Sequence, residues 1–175
     1  MQFLLSILSG IISSFIFIFL LLALLRPTIK ISPEICYQQD VFDNEHRMCY
    51  LIKVVNTSLF SAYDVNVELS SLIIYPVKDG FNYRYSPIKM KSNKFNFVAP
   101  YRPKWIKEKY GDYAFLFRTY DNLHTILKDE RNSIHFQVTL KHGLTGLSRV
   151  FNINYAFCSS IKEGHFNFGN NFNIS

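Results

Sequence analysis

The chain has 175 residues, a formal net charge of +6, 49% hydrophobic residues and 18% charged residues, and no charged side chain precedes Arg26. This length and composition exclude a multi-domain enzyme, a collagen-like chain, a fully disordered chain and a polytopic transporter. They predict one domain of ordinary size behind a hydrophobic leader.

The leader is an uncharged apolar run of 23 residues, from Phe3 to Leu25. As a helix it is about 34 Å long, enough to cross a hydrocarbon core of about 30 Å. A cleaved signal peptide has a basic segment before a shorter apolar core and a site of small residues after it. The run has neither feature, so we predict a retained transmembrane anchor over residues 1–27. Its membrane-spanning residues include Phe3, Gly10, Phe17 and Leu25.

The charges that flank the leader predict its orientation. Arg26 and Lys30 follow the run, and the positive-inside rule therefore places the C-terminal domain in the cytoplasm. The three cysteines Cys36, Cys49 and Cys158 form no CxxC pair, which suits reduced thiols in the cytosol. Export of the domain is the alternative, and it would allow a Cys36–Cys49 bridge.

Eight short segments after Pro27 have the apolar alternation or the β-branched and aromatic content typical of strands. They are residues 28–32, 48–55, 65–69, 71–77, 95–98, 113–120, 134–140 and 150–157. Turns are predicted at 78–80 and 142–146, and a short helix at 122–130 with Asp121 as its N-cap. The pattern predicts an all-β domain, an antiparallel sandwich over residues 28–158. The tail, 159–175, is expected to fray or to add one edge strand.

One stretch carries a recognisable motif. Between Lys53 and Leu69 the chain has a Val-x-Asn-x-Ser turn followed by Ala-x-Asp-Val-x-Val. The stretch resembles the junction between the second and third strands of bacterial immunoglobulin-like adhesion and scaffold modules. The resemblance implies an immunoglobulin-like β-sandwich and, by analogy, a binding role.

The motifs that carry common chemistries are missing from the sequence. It has no phosphate-binding loop, no GxGxxG, no GxSxG and no HExxH. His46 and Cys49 are too few to complete a zinc shell. His135 alternates with Ile134 and Phe136, so we expect it on the solvent side of its strand rather than as a buried base. We therefore predict no catalytic residue, no metal site and no cofactor.

The segment from Lys78 to Lys109 has nine basic and two acidic residues, with aromatic residues interspersed. It suits a solvated hairpin with inward aromatics, a contact with anionic lipid headgroups, or an acidic protein partner. Nucleic acid is the least favoured partner, since a permanent anchor restricts which nucleic acid is within reach. The predicted binding residues are Arg84, Lys89, Lys91, Lys94, Arg102, Lys104, Trp105, Lys107 and Lys109.

The sequence thus predicts a single-pass membrane protein with a non-catalytic, immunoglobulin-like domain in the cytosol. Its expected partners are membrane lipid and either a second protein or another copy of itself. The alternative is a membrane-acting effector, for example of a bacterial antiphage or toxin system, whose helix assembles in the bilayer. Close packing would use the small residues of the leader, which are Ser6, Ser9, Gly10, Ser13 and Ser14.

Overall fold

The computed structural model describes residues 2–25, 27–102 and 111–175. Helix α1 spans Gln2–Leu24, and its Leu5–Leu22 portion has a mean hydropathy of 2.6 and no buried residue. The Ser6 and Ser14 hydroxyls donate to the carbonyls of Gln2 (3.0 Å) and Gly10 (2.8 Å), so both are satisfied within the helix. The helix is long and apolar enough to cross a membrane. Both a membrane anchor and a signal sequence have these properties.

In the described residues, ten strands and one short α-helix follow α1. The strands are β1 (Ile29–Ile31), β2 (Ile35–Gln39), β3 (Met48–Asn56), β4 (Ala62–Val77), β5 (Gly80–Pro87), β6 (Lys94–Val98), β7 (Ala114–Thr119), β8 (Asn132–His142), β9 (Ser148–Tyr155) and β10 (Ile161–Glu163). Helix α2 spans Leu123–Leu127, and a single 3-10 turn at Cys158–Ser160 precedes β10.

The strands form two five-stranded sheets. The first has the order β1-β3-β2-β10, with β7 also paired to β3, and β10 runs parallel to β2. The second has the order β5-β4-β8-β9. Along one edge of β4, strand β6 pairs near Ala62 and β5 pairs from Ser70 onward, while β8 occupies the other edge. Strand β4 is therefore the longest element of the domain and the one that organises the second sheet.

One hydrophobic core lies between the two sheets. Phe117 of the first sheet and Phe136 of the second are both buried, with ring centroids 5.8 Å apart. The buried Tyr155 hydroxyl donates to the Ser32 carbonyl at 2.7 Å, which ties β9 to the loop after β1. Each fully buried large apolar side chain contributes about 1.5–3 kcal/mol to folding, so this shared core holds the sheets together.

The structure confirms an all-β domain with an N-terminal apolar helix and one short helix. The alternation on β8 is also confirmed, because Ile134 and Phe136 are fully buried whereas His135 is half-buried on the other face. The parallel pairing of β10 means that the first sheet is mixed rather than purely antiparallel. The immunoglobulin-like arrangement remains a prediction.

Three local predictions need correction. Residues 65–69 and 71–77 belong to one strand, β4, because both serines between the apolar runs are paired within the sheet. The N-cap of α2 is Asn122, whose side chain accepts from the Thr125 N–H at 3.1 Å. Asp121 instead accepts from the Lys89 N–H at 3.0 Å, so its carboxylate is not available as a cap. Strands β2 and β5 were not predicted.

Candidate functional site

The hairpin of β4 and β5 projects beyond the second sheet. Pairing between β4 and β8 ends at Ile73 and Asn132, whereas pairing between β4 and β5 continues to Val77 and Gly80. Residues 74–83 therefore form a two-stranded ribbon that extends about 13 Å past the sheet, at about 3.3 Å per residue. We refer to residues 74–83 as the arm.

The arm exposes apolar side chains on both of its faces. Cross-strand partners share a face, which places Ile74 with Tyr83 on one side and leaves Tyr75 and Val77 on the other. The exposed fraction is 71% for Phe81 and between 40% and 55% for the other four. A two-stranded ribbon is marginally stable by itself, and contiguous exposed apolar surface marks interaction sites. The arm is the strongest candidate contact surface in the described part of the chain.

A groove of about 660 Å³ lies at the base of the arm, in the gap between β5 and β6. Its lining includes Glu68, Tyr85 and His135. The His135 Nδ1 lies 2.6 Å from the Asn154 Oδ1, and its ring packs edge-on against Tyr85 with centroids 5.6 Å apart. Ser70 is the cross-strand neighbour of His135, but in the described residues no hydrogen bond joins its hydroxyl to the ring. Glu68, Tyr85 and His135 are thus brought to one groove by strands β4, β5 and β8.

A buried charge cluster holds the end of the domain from which the arm projects. The carboxylate of Asp40 is fully buried, and its Oδ2 accepts from Arg118 Nη1 at 2.7 Å and from the Tyr120 hydroxyl at 2.5 Å. Burial alone would raise the pKa of Asp40. The hydrogen bonds from Tyr120 and the Phe42 N–H, with the charges of Arg118 and Lys91, outweigh it and hold the pKa below its usual value. The cluster fixes the loop after β2 to β7.

A buried lysine fastens the C-terminal tail to the first sheet. Lys53 is 3% exposed, and its Nζ donates to the carbonyls of Asn167 (2.6 Å) and Asn171 (2.7 Å). Burial lowers the pKa of Lys53 to about 8, because a low-dielectric site disfavours the ammonium form. The residue is therefore a structural clamp whose charge is sensitive to mildly alkaline pH.

The two buried cysteines are free thiols. The strand register pairs Cys36 with Leu51 and Cys49 with Gln38, so the cysteines are diagonal neighbours about 7–8 Å apart. A disulfide needs Cα atoms within about 6.8 Å, so a Cys36–Cys49 bridge would require backbone movement. Burial raises the pKa of the Cys36 thiol to about 11, which leaves it a poor nucleophile.

The described basic residues of the predicted binding segment lie at several separate places on the domain. Lys104, Trp105, Lys107 and Lys109 lie outside the described residues. Arg84 follows the arm on β5. Lys91 lies 3.6 Å from the Asp40 carboxylate, and Lys89 lines both the groove at the base of the arm and a second cleft, which Lys91 also lines. Lys94 begins β6, and Arg102 pairs with Asp112 at 3.7 Å. Their role in binding remains a prediction.

Sequence reasoning missed the arm, the Asp40 cluster and the Lys53 clamp. One signal pointed to the arm, because Phe81, Tyr83 and Tyr85 alternate with polar residues directly after the predicted turn at 78–80. No comparable signal exists for Asp40, whose partners Arg118 and Tyr120 are 78 and 80 positions away in the chain.

No family model matches the chain, and none of the curated proteins is significantly similar to it. The sporulation control protein Spo0M from Bacillus subtilis, a solved structure, is similar over 79% of this chain with 12% identity and a TM-score of 0.40. The chain spans 50% of the length of Spo0M. A likeness of this size carries no conclusion about function.

Proposed function

We propose that this chain is a membrane-anchored, non-catalytic module that binds a protein partner through the arm. In this proposal α1 is retained in the bilayer and the two sheets form an immunoglobulin-like domain on the cytoplasmic side. The observation that carries it is the arm itself, a ribbon with exposed apolar side chains on both faces. Such a ribbon gains most stability when a second surface covers it.

The position of α1 favours a protein over lipid as the occupant of the arm. The Arg149 Nη1 donates to the Pro27 carbonyl at 3.3 Å, and Thr57 N donates to the Thr28 carbonyl at 2.9 Å. The helix therefore enters the domain at the end where β4 begins. From Ala62 to Val77 an extended strand spans at most about 50 Å, so the arm lies at the end of β4 that is remote from α1.

The charge of the arm favours apolar recognition. The only charged residues between positions 74 and 83 are Lys78 and Asp79, so the arm has no net charge. Nucleic acid and anionic headgroups would require an excess of basic residues. Among the described residues β5 pairs only with β4, so its other edge is open to strand addition by a partner.

Site-specific photo-crosslinking tests this proposal in the full chain inserted in its membrane. A photoreactive residue at Phe81 is compared with one at Phe157, which has a similar exposed fraction (67%) but lies outside the arm. We expect a discrete adduct from position 81 and none from position 157. An adduct with the mass of two chains identifies self-association. Equal reactivity at both positions, or none at position 81, would refute the proposal.

The membrane-acting effector is the second candidate, favoured by one face of α1. Ser6, Gly10 and Ser14 are spaced by four residues, and both serine hydroxyls are turned back to the helix backbone. Such a face lets a second helix approach closely. Replacing α1 with a polyleucine helix separates the candidates. A tether keeps the Phe81 adduct and the cellular activity, whereas an assembling effector loses its activity.

A further inference from the structure

Two loops at the end of the domain where α1 enters carry exposed apolar side chains. One joins β3 to β4 and carries Leu59, which is 74% exposed. The other joins β8 to β9 and carries Leu144 and Leu147, which are 66% and 41% exposed. We refer to Leu59, Leu144 and Leu147 as the seat.

The seat is one surface, and it adjoins the end of α1. Gly143 N donates to the Ser61 carbonyl at 2.9 Å, which joins the two loops. The ring of Phe60 packs edge-on against His142, with centroids 5.0 Å apart. A cleft of about 430 Å³ has Leu22 of the helix on one side and Leu147 on the other. The apolar surface of the helix therefore continues onto the domain.

Neutral buried side chains hold the two loops in place. The Asn56 amide donates to the carbonyls of Phe60 (3.0 Å) and Ala99 (2.8 Å), and its oxygen accepts from the Ser58 N–H. In the other loop, the Nδ1 of the buried His142 accepts from the Leu144 N–H at 3.3 Å. The leucines are thus presented outward by turns that buried side chains hold in place.

We propose that the seat rests in the interfacial region of the bilayer that α1 crosses. This inference depends on the retained anchor of the proposed function. Lipid is the occupant because the seat is continuous with a helix of membrane-spanning length. Burial of leucine at the acyl boundary is favourable, and Arg149 beside Pro27 suits anionic headgroups. The arm, at the other end of β4, then lies on the side of the domain away from the membrane surface.

Lipid quenching of a fluorescent label tests the seat in the full chain, reconstituted into nanodiscs of phosphatidylcholine and phosphatidylglycerol. Cys158→Ser removes the exposed thiol, while Cys36 and Cys49 are fully buried. An environment-sensitive label is then placed at Leu59→Cys, at Leu144→Cys or, as the matched control, at Phe157→Cys. The control position has almost the same exposed fraction as Leu144.

We expect lipids with brominated acyl chains to remove most of the emission from labels at positions 59 and 144 and little of it at position 157. Emission that is equally insensitive at all three positions would overturn the seat. The Phe81 crosslink, measured in the chain's own membrane, is independent of this result, so the two experiments test the arm and the seat separately. A chain that fails to remain with the discs would refute both the anchor and the seat.

Discussion

The arm and the seat expose apolar residues at opposite ends of β4, but different interactions support them. The arm is regular strand whose shape depends on its own cross-strand pairs, while the ionic cluster around Asp40 holds the loop after β2 to β7. The seat consists of irregular turns, each fixed by a buried neutral side chain, Asn56 or His142.

This difference indicates two kinds of binding surface. A two-stranded ribbon that packs against no other element can adjust its twist to a partner. Binding then costs conformational entropy, because the ribbon becomes ordered. Turns fixed by buried hydrogen bonds keep one shape and suit a featureless surface such as a bilayer. The difference also predicts separate responses to pH, because carboxylates and histidines titrate in different ranges.

The largest effect is expected from removing the ionic scaffold near the arm. Asp40→Ala leaves Arg118 partly buried without its carboxylate, which typically costs about 3–5 kcal/mol of unfolding free energy. The matched control is Asp129→Ala, which breaks an exposed pair with Arg131 at 2.9 Å and is expected to cost much less, because solvent screens that pair. Urea unfolding of the full chain in discs measures both. Equal losses would show that the Asp40 cluster is not a scaffold.

The next effect concerns binding by the arm rather than stability. Phe81→Ser combined with Tyr83→Ser removes two central aromatic side chains, and we expect a loss of about 2–4 kcal/mol in partner affinity. The unfolding free energy is expected to change by less than about 1 kcal/mol, because both side chains are largely exposed. The yield of the crosslink from a photoreactive residue at Tyr85 reports the binding. An unchanged yield would place the contact elsewhere.

The sequence predicted the parts of the fold that local pattern determines. The alternation from Ile134 to Leu140 gave β8 and its buried face, and the turn at 78–80 was confirmed. Strand β5 was missed although Phe81, Tyr83 and Tyr85 alternate with polar residues, because these aromatics were interpreted as part of a basic binding segment. Strand β2 was missed because only Ile35, Cys36 and Tyr37 are apolar before the chain becomes polar.

The positions of the candidate sites depend on tertiary contacts, which no local sequence pattern reveals. Whether Phe81 and Tyr83 enter the core or contact a partner is decided by where β8 begins, at Asn132. The sequence left both outcomes open for these aromatics. The seat likewise depends on two loops more than 80 positions apart in the chain being brought together by the Gly143–Ser61 hydrogen bond.

Lys53, which belongs to neither the arm nor the seat, makes the free energy of unfolding depend on alkaline pH. The pKa of Lys53 is about 8 in the folded chain and higher when unfolded, so the unfolded state binds more protons between these values. Stability is therefore expected to rise by about 1 kcal/mol as the pH increases from about 8 to about 9, above which the raised pKa of Cys36 opposes a further rise. Lys53→Met should remove this rise in urea unfolding. A rise that persists in the variant would assign it to another group.

The smallest effect is expected at the seat under mild acid. Burial lowers the pKa of His142 below its usual value, and its Nδ1 accepts hydrogen bonds only in the neutral form. On acidification below about pH 6.5 the unfolded histidine binds a proton that the folded one resists. Stability then falls, with a slope of at most about 1.4 kcal/mol per pH unit for one proton.

His142→Gln should flatten this slope between pH 7 and pH 5. Asp40→Asn should leave the slope unchanged, because the pKa of Asp40 lies below this pH range and its carboxylate stays ionised throughout. The same acidification should weaken lipid quenching at Leu144 more than at Leu59, whose loop is held by an amide that does not titrate. If the two leucines respond alike, acid acts on the whole domain rather than on the turn that His142 holds.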